Sequence, residues 1–380
     1  MSRAVPPAGR VVIAPDKFKG TLRSADAAAS IATGIRRVIP EAELYELPIA
    51  DGGEGTVDAA LAAGYRELRV PVTGPTGQPR EAAIAISGGT AIVESAQACG
   101  LALLPGGTPA PLTATSYGAG ELIRHAIEAG CTRVILGLGG SACTDGGAGM
   151  AQALGARLRD CAGADLPRGG AALGDLDDLR LKPLSDLVSG VEIILACDVT
   201  SPLCGDHGAA AVYGPQKGAS PQDVMVLDAA LRQWADVVRR RTGVDRSGTR
   251  GAGAAGGIGF AGLALLGARI QPGIAVLLGL LGFDQAVRGA RLIVTGEGCL
   301  DAQTLNGKAP AGIAAAAATA GVPVAAVAGR VELSEHEWRE AGFCAAYSLT
   351  DLASPDEDHL ARAGELAERA GARLAADWLQ

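Results

Sequence analysis

Five stretches of this 380-residue chain set glycine beside acids or lysines directly after an apolar run, and that pairing suits anion chemistry. At 294–310, VTGEGCLDAQTLNGKAP places Glu297 and Asp301 close enough to share a cation, while Lys308 can meet an anion. APDKFKGTL brings Asp16, Lys17 and Lys19 into one loop; paired lysines favour a carboxylate or phosphate, and Asp16 would keep a lysine oriented. PIADGGEGT sets Asp51 and Glu54 around two glycines, which let a ligand approach the backbone closely. GLGGSACTDGGAG, at 137–149, is the strongest phosphate cradle. Its Gly139, Gly140, Ser141, Asp145, Gly146 and Gly147 precede a helix, so free N–H groups and the helix dipole both favour an anion. No GK[ST] follows, so it is not a Walker A loop. ACDVTSPLCG places Asp198 straight after a strand, where a carboxylate could hold Mg²⁺ or accept a hydroxyl proton. Lys217 in GPQKGAS, and Gly256 and Gly257 in GAGAAGGIG, add a further cation and a second glycine nest. Any one of these matches an ordinary turn. Together they point to one cleft that binds several phosphates and a metal.

The elements that must position these loops follow from hydrophobic pattern. Residues 10–14 read as a short buried strand, Ser24 as the N-cap of a helix to Ile39, and 43–48 as a strand running into PIADGGEGT. A helix closed by Gly64 completes a βαβα opening, which implies parallel strands. Between 65 and 94 the texture changes to strand-like pieces split by TGPTGQP and GG, which suits antiparallel or mixed pairing. Helix 113–130, strands 133–139 and 191–196, and a helix at 221–241 with its Trp234 packed inward follow. From 291 onward strands alternate with helices again, in the style of the first sixty residues. The simplest arrangement is one α/β domain built from 1–72 and 288–380, interrupted by an α/β insert at 73–287.

Composition narrows the function classes. Hydrophobic residues at 48% fit real cores, and with aromatics at 3% those cores must be built from Ala, Val, Leu and Ile. A net charge of −8 argues against a nucleic-acid groove, which needs clustered Lys and Arg. The basic run 239–241 suits the C-terminal end of a helix. The 8 cysteines form no CxxC pair, so reduced thiols are expected and neither a disulfide framework nor a zinc site. MSRAVPPAGR lacks a signal-peptide core, and the most apolar segment, 273–283, is too short to cross a bilayer. A cytoplasmic protein is expected.

In this order, APDKFKGTL, PIADGGEGT, GLGGSACTDGGAGM, CDVTSPLCG, GPQKGA, GAAGGIG and GEGCLDAQTLNGKAP resemble bacterial glycerate kinases of the type I family, over nearly the whole chain. The resemblance implies two α/β domains, one flavodoxin-like and one likened to restriction-enzyme folds, with an interdomain cleft. It implies ATP-dependent, Mg²⁺-assisted phosphorylation of D-glycerate, usually at the 2-hydroxyl. Read with the loops above, Lys17 and Lys19 would meet the glycerate carboxylate or the γ-phosphate, and Asp198 or Asp51 would serve as base or Mg²⁺ ligand. The glycine loops would hold nucleotide, and Glu54, Lys217, Glu297, Asp301 and Lys308 would complete the site. Phosphorylation of the 3-hydroxyl or of another short hydroxy acid, or a non-catalytic glycerate or nucleotide sensor, are the rival readings, and a homodimer is compatible with all of them. Three positions depart from the family pattern: Cys299 stands where Arg is usual, and Thr144 and Ser201 where Asn is usual. The first leaves out an arginine beside Glu297, which would either alter substrate affinity or be compensated by Lys308 or Arg330.

Overall fold

The computed structural model describes residues 9–18, 20–50, 52–354 and 357–380; Lys19 and Asp51 lie outside them. The strands, in chain order, are β1 (Val11–Pro15), β2 (Leu44–Glu46), β3 (Arg66–Thr73), β4 (Pro79–Ser87), β5 (Thr90–Glu94), β6 (Arg133–Gly137) and β7 (Arg157–Arg159). They continue with β8 (Asp178–Arg180), β9 (Glu192–Ala196), β10 (Arg269–Gln271), β11 (Leu292–Leu300), β12 (Val324–Val331) and β13 (Phe343–Ser348). The protein is a mixed α/β chain that divides into two compact units. One comprises Met1–Asp51, Asp58–Gly64 and Ile274–Gln380, the other Gly52–Val57 and Tyr65–Gly273.

The first unit is a parallel sheet of order β13-β12-β11-β1-β2. Counted within the unit alone this is 2-1-3-4-5, the doubly wound order whose ligand crevice opens at the carboxyl ends of the two strands where the winding reverses. Here those strands are β1 and β11. Both faces are buried, as a parallel sheet with helices on each side requires. Val12, Ala14, Ile293, Ala326 and Ala328 enter one core, while Val11, Ile13, Val294, Ala325 and Val327 enter the other. The first core also takes Ile274, Leu278, Phe283 and Val287, so residues 274–287 belong here and not with the insert. The second core is closed by helices Ser24–Val38 and Ala363–Trp378. Their crossing is tight because it is lined by small residues: a Cβ on Gly34 would stand 1.9 Å from the Glu368 carbonyl oxygen. Ser24 is not the cap expected of it; Arg23 takes the N-cap position and pairs with Asp26 at 2.8 Å.

The second unit holds a six-stranded sheet of order β10-β9-β6-β5-β4-β3. β3, β4 and β5 are antiparallel neighbours, and β5, β6, β9 and β10 run parallel. β3 pairs with β4 from Arg66 to Thr73, so the unit begins at residue 65 and not at an expected boundary after 72. Helix Pro221–Thr242 opens with a capping box between Ser220 and Asp223, ends at left-handed Gly243, and buries Leu227, Leu231, Trp234 and Val238. Residues 157–180 carry the small antiparallel β7–β8 ribbon. Among the described residues, no helix is long and apolar enough to cross a membrane.

Candidate functional site

In the first unit the loops after β1 and β11 meet at the crevice position of the sheet. The Asp16 N–H donates to the Gly296 carbonyl at 2.8 Å, and Asp16 Oδ1 accepts the Lys17 N–H at 2.7 Å. Asp16 thereby fixes the backbone of the lysine that follows it. Glu297 is 6% exposed and accepts the Thr304 hydroxyl on Oε1 at 2.6 Å. The cation that Glu297 and Asp301 share is the Lys308 ammonium, 3.6 Å from Glu297 Oε2 and 3.5 Å from Asp301 Oδ1. Burial pushes the Glu297 carboxyl above its ordinary range, against the pull of the Thr304 hydrogen bond and the Lys308 charge. Burial acts on Asp301 in the same sense but loses to the N–H groups of Gln303 and Thr304 and to Lys308, which hold that carboxyl low. Cys299 lies opposite Arg330 across the β11–β12 ladder. Arg330 itself pairs with Glu332 at 3.3 Å, so its charge beside Cys299 is shared.

In the second unit the chemistry gathers at the carboxyl ends of the parallel strands. Glu94 ends β5, Gly137 ends β6, and Asp198 follows β9. The segment 52–54 lies over these ends: a Cβ on Gly137 would meet the Gly52 carbonyl oxygen at 2.5 Å, and one on Gly139 the Gly53 Cα at 2.9 Å. Buried Glu94 accepts the Val57 N–H at 2.6 Å and so anchors the end of that segment. Glu54 is exposed, as is Asp198, whose Oδ1 accepts the Gly273 N–H at 3.3 Å.

The two glycine nests form one structure. Gly146 N–H donates to the Gly256 carbonyl at 2.9 Å, and a Cβ on Gly256 (φ +69°) would lie 2.0 Å from the Cys143 carbonyl oxygen. Most of the donors are spent internally. Asp145 is fully buried and takes the N–H groups of Ser116, Gly147 and Gly149, while Trp234 Nε1 donates to the Gly146 carbonyl at 3.0 Å. Asp145, Gly146, Gly147, Gly256 and Gly257 are therefore interior to the nest, and Gly139 and Gly140 form its solvent-facing lip, with Ser141 just beneath. Lys217 faces inward too. It is 3% exposed and its ammonium donates to Ser141 Oγ at 3.2 Å and to the Cys143 carbonyl at 2.5 Å, with burial lowering its proton affinity. Beside it, Thr144 Oγ1 is buried without a hydrogen-bond partner among the described residues.

Sequence reasoning passed over Glu94, Thr115, Ser116 and Thr304. Each ends a strand or stands in a polar turn, and each acts on another group of the site by hydrogen bonding. Ala255 is the one non-glycine residue with positive φ among the described residues (φ 50°, ψ 41°). A left-handed alanine costs about 1 kcal/mol, and glycine gives back roughly 0.5 kcal/mol in backbone entropy. Ala255→Gly is accordingly expected to raise stability by about 0.5 kcal/mol in urea denaturation; a loss of stability would contradict strain at this position.

A model described as the glycerate kinase family matches residues 11–379. The chain is 42% identical over 370 residues to a glycerate kinase of Bacillus subtilis (strain 168), spanning 97% of each chain. It is 42% identical over 352 residues to the glycerate 2-kinase of Escherichia coli (strain K12), spanning 92% of each. The Salmonella typhimurium LT2 protein crystallised under the name glycerate kinase 2 superposes with a TM-score of 0.86 at 41% identity, covering 97% of this chain and 98% of that one. By its matching model and by these relatives alike, this chain belongs to the glycerate kinase family and is an enzyme of the kinase class.

Proposed function

We propose that the chain transfers the γ-phosphoryl group of ATP to the 2-hydroxyl of D-glycerate. The observation that carries this reading is that the Asp16–Lys17 loop is stitched to Gly296, next in sequence to the Glu297–Asp301–Lys308 cluster, at the carboxyl ends of β1 and β11. That cluster offers charge for a carboxylate and acceptors for a hydroxyl, which is what a small hydroxy acid presents. The name of the Escherichia coli relative supports the 2-hydroxyl.

Phosphoryl transfer asks a protein mainly for positioning and charge neutralisation. Lys17 and Lys19 are assigned to the glycerate carboxylate or the γ-phosphate, and Lys308 balances the two acids beside it. Gly139, Gly140 and Ser141 are assigned to nucleotide contact, with Asp145, Gly146, Gly147, Gly256, Gly257 and Lys217 setting the shape of the lip from within. Glu54 belongs to the segment laid over the strand ends, and Asp51 is the alternative carboxylate for base or Mg²⁺ duty. Asp198 is an exposed, hard oxygen donor at a strand end, and Mg²⁺ commonly binds through one or two carboxylates plus substrate phosphates. Asp198 would hold that ion, which would supply positive charge against the phosphates. A cytoplasmic setting, where ATP is held, completes the reading.

A coupled ADP-release assay with ATP, Mg²⁺ and D-glycerate tests it directly. Turnover is expected, with phosphorus NMR placing the new phosphate on the 2-hydroxyl. Phosphate on the 3-hydroxyl would overturn the regiochemistry, and nucleotide binding without ADP release would leave only a sensor.

A further inference from the structure

We infer that Glu297 is the proton acceptor for the glycerate hydroxyl and that Thr304 is its positioning residue, locking one carboxylate oxygen so that the other faces the reaction. The inference rests on the phosphoryl-transfer reading above and adds to it the identity of the base.

The direction of the Thr304 proton is not free. Its Oγ1 accepts the Asp301 N–H at 3.0 Å, and a hydroxyl has a single proton to give, so that proton goes to Glu297 Oε1, 2.6 Å away. Thr304 is itself fully buried, and its own N–H is tied to Asp301 Oδ1 at 3.1 Å. Glu297 Oε1 is thus committed. Oε2 stands 3.6 Å from Lys308 Nζ, inside ion-pair range but beyond a hydrogen bond, and no described residue is shown donating to it. A base held by a second group that is itself held is the arrangement general-base catalysis requires. Asp198, by contrast, is exposed and better suited to the metal.

Among the described residues, the charged groups acting on Glu297 are Asp301 and Lys308, both from its own following loop; Asp16 and Lys17 sit on the loop stitched to the neighbouring Gly296. Its register partner on β12 is Ala328, which contributes no charge. Burial raises the proton affinity of Glu297, as a base working near neutrality needs. In the step itself the glycerate O–H bond breaks and its proton passes to Glu297 Oε2. The freed oxygen pair bonds to the γ-phosphorus, and the bond from γ-phosphorus to the bridging oxygen breaks with its pair leaving on ADP. The proton is then lost to solvent.

Steady-state pH profiles of the wild type, Glu297→Gln, Thr304→Val and Thr304→Ser with ATP, Mg²⁺ and D-glycerate decide the matter. Glu297→Gln is expected to lower kcat by about 10²–10⁴-fold while KM changes little. Thr304→Val removes a donor to the carboxylate, so the acid limb of the profile should move to higher pH; Thr304→Ser should leave it in place. Retention of more than a tenth of kcat in Glu297→Gln overturns the base assignment. An activity loss in Thr304→Val with an unmoved acid limb overturns the positioning role, and should that variant not fold, the Glu297→Gln and Thr304→Ser pair still decides. Absence of ADP release in the wild type would instead overturn the phosphoryl-transfer reading.

Discussion

Replacing Asp145 by Ala is expected to lower the free energy of unfolding by on the order of 4 kcal/mol. The carboxylate is fully buried and accepts five hydrogen bonds. These come from the Ser116 N–H at 2.8 Å and hydroxyl at 2.9 Å, the Gly147 N–H at 3.1 Å, the Gly149 N–H at 3.3 Å and the Thr115 hydroxyl at 3.4 Å. Ser116 Oγ in turn accepts the Met150 N–H at 2.9 Å, so its proton is aimed at Asp145 and has no second choice. Alanine would strand three backbone donors in a dry interior, each costing about 1–3 kcal/mol. Asparagine is no remedy, since its amide nitrogen must face a donor. Urea denaturation of Asp145→Ala and Asp145→Asn measures the effect. A loss below about 1 kcal/mol together with weakened ATP binding would return Asp145 to the role of a ligand contact.

That result would also mark where sequence reasoning stops. The glycine string at 137–149 announces a nest before a helix, and that much is in the residue types. Which of its N–H groups remain for a ligand depends on partners far along the chain. Gly256 takes one, Trp234 seals the Gly146 carbonyl, and Lys217 enters from below. None of these shares a local pattern with the loop. Lys217 shows the same limit: a lysine in a Gly-Pro loop reads as solvent-facing, and only tertiary burial turns it inward.

The parallel sheet of the first unit was more legible. Alternating strand and helix patterns at both termini, with apolar runs such as RLIV, leave few ways to build a buried sheet, and a crossover must be right-handed. Domain edges were less so. Residues 66–73 alternate like a strand of either unit, and only pairing with β4 assigns them. Residues 274–287 are apolar throughout, and periodicity cannot say which core they enter. Thr304 was overlooked for a related reason. In a string of glycines, acids and a lysine, a threonine carries no charge to notice, although its hydroxyl is what orients Glu297.

Lys17→Ala is expected to reduce kcat/KM by about 10³-fold, a loss of roughly 4 kcal/mol in transition-state stabilisation, with a melting temperature close to that of the wild type. The separation of activity from stability follows from how the loop is built. Its backbone is set by Asp16, which is 8% exposed and bonded to both the Gly296 carbonyl and the Lys17 N–H, and neither contact uses the lysine side chain. The loop is further closed by Phe18 and Leu22, whose N–H and carbonyl groups pair reciprocally at 2.8 and 3.0 Å. Removing the ammonium should therefore leave this backbone framework in place and take away the charge the loop carries. Charge that is prepositioned contributes most where bonds are being made, so the deficit should fall mainly on kcat if Lys17 meets the γ-phosphate and mainly on glycerate KM if it meets the carboxylate. Lys17→Arg restores charge in a longer, planar group and should recover only part of the loss. Activity of Lys17→Ala within tenfold of the wild type would remove this lysine from the site and, with it, the assignment of the β1–β11 crevice as the place where glycerate binds.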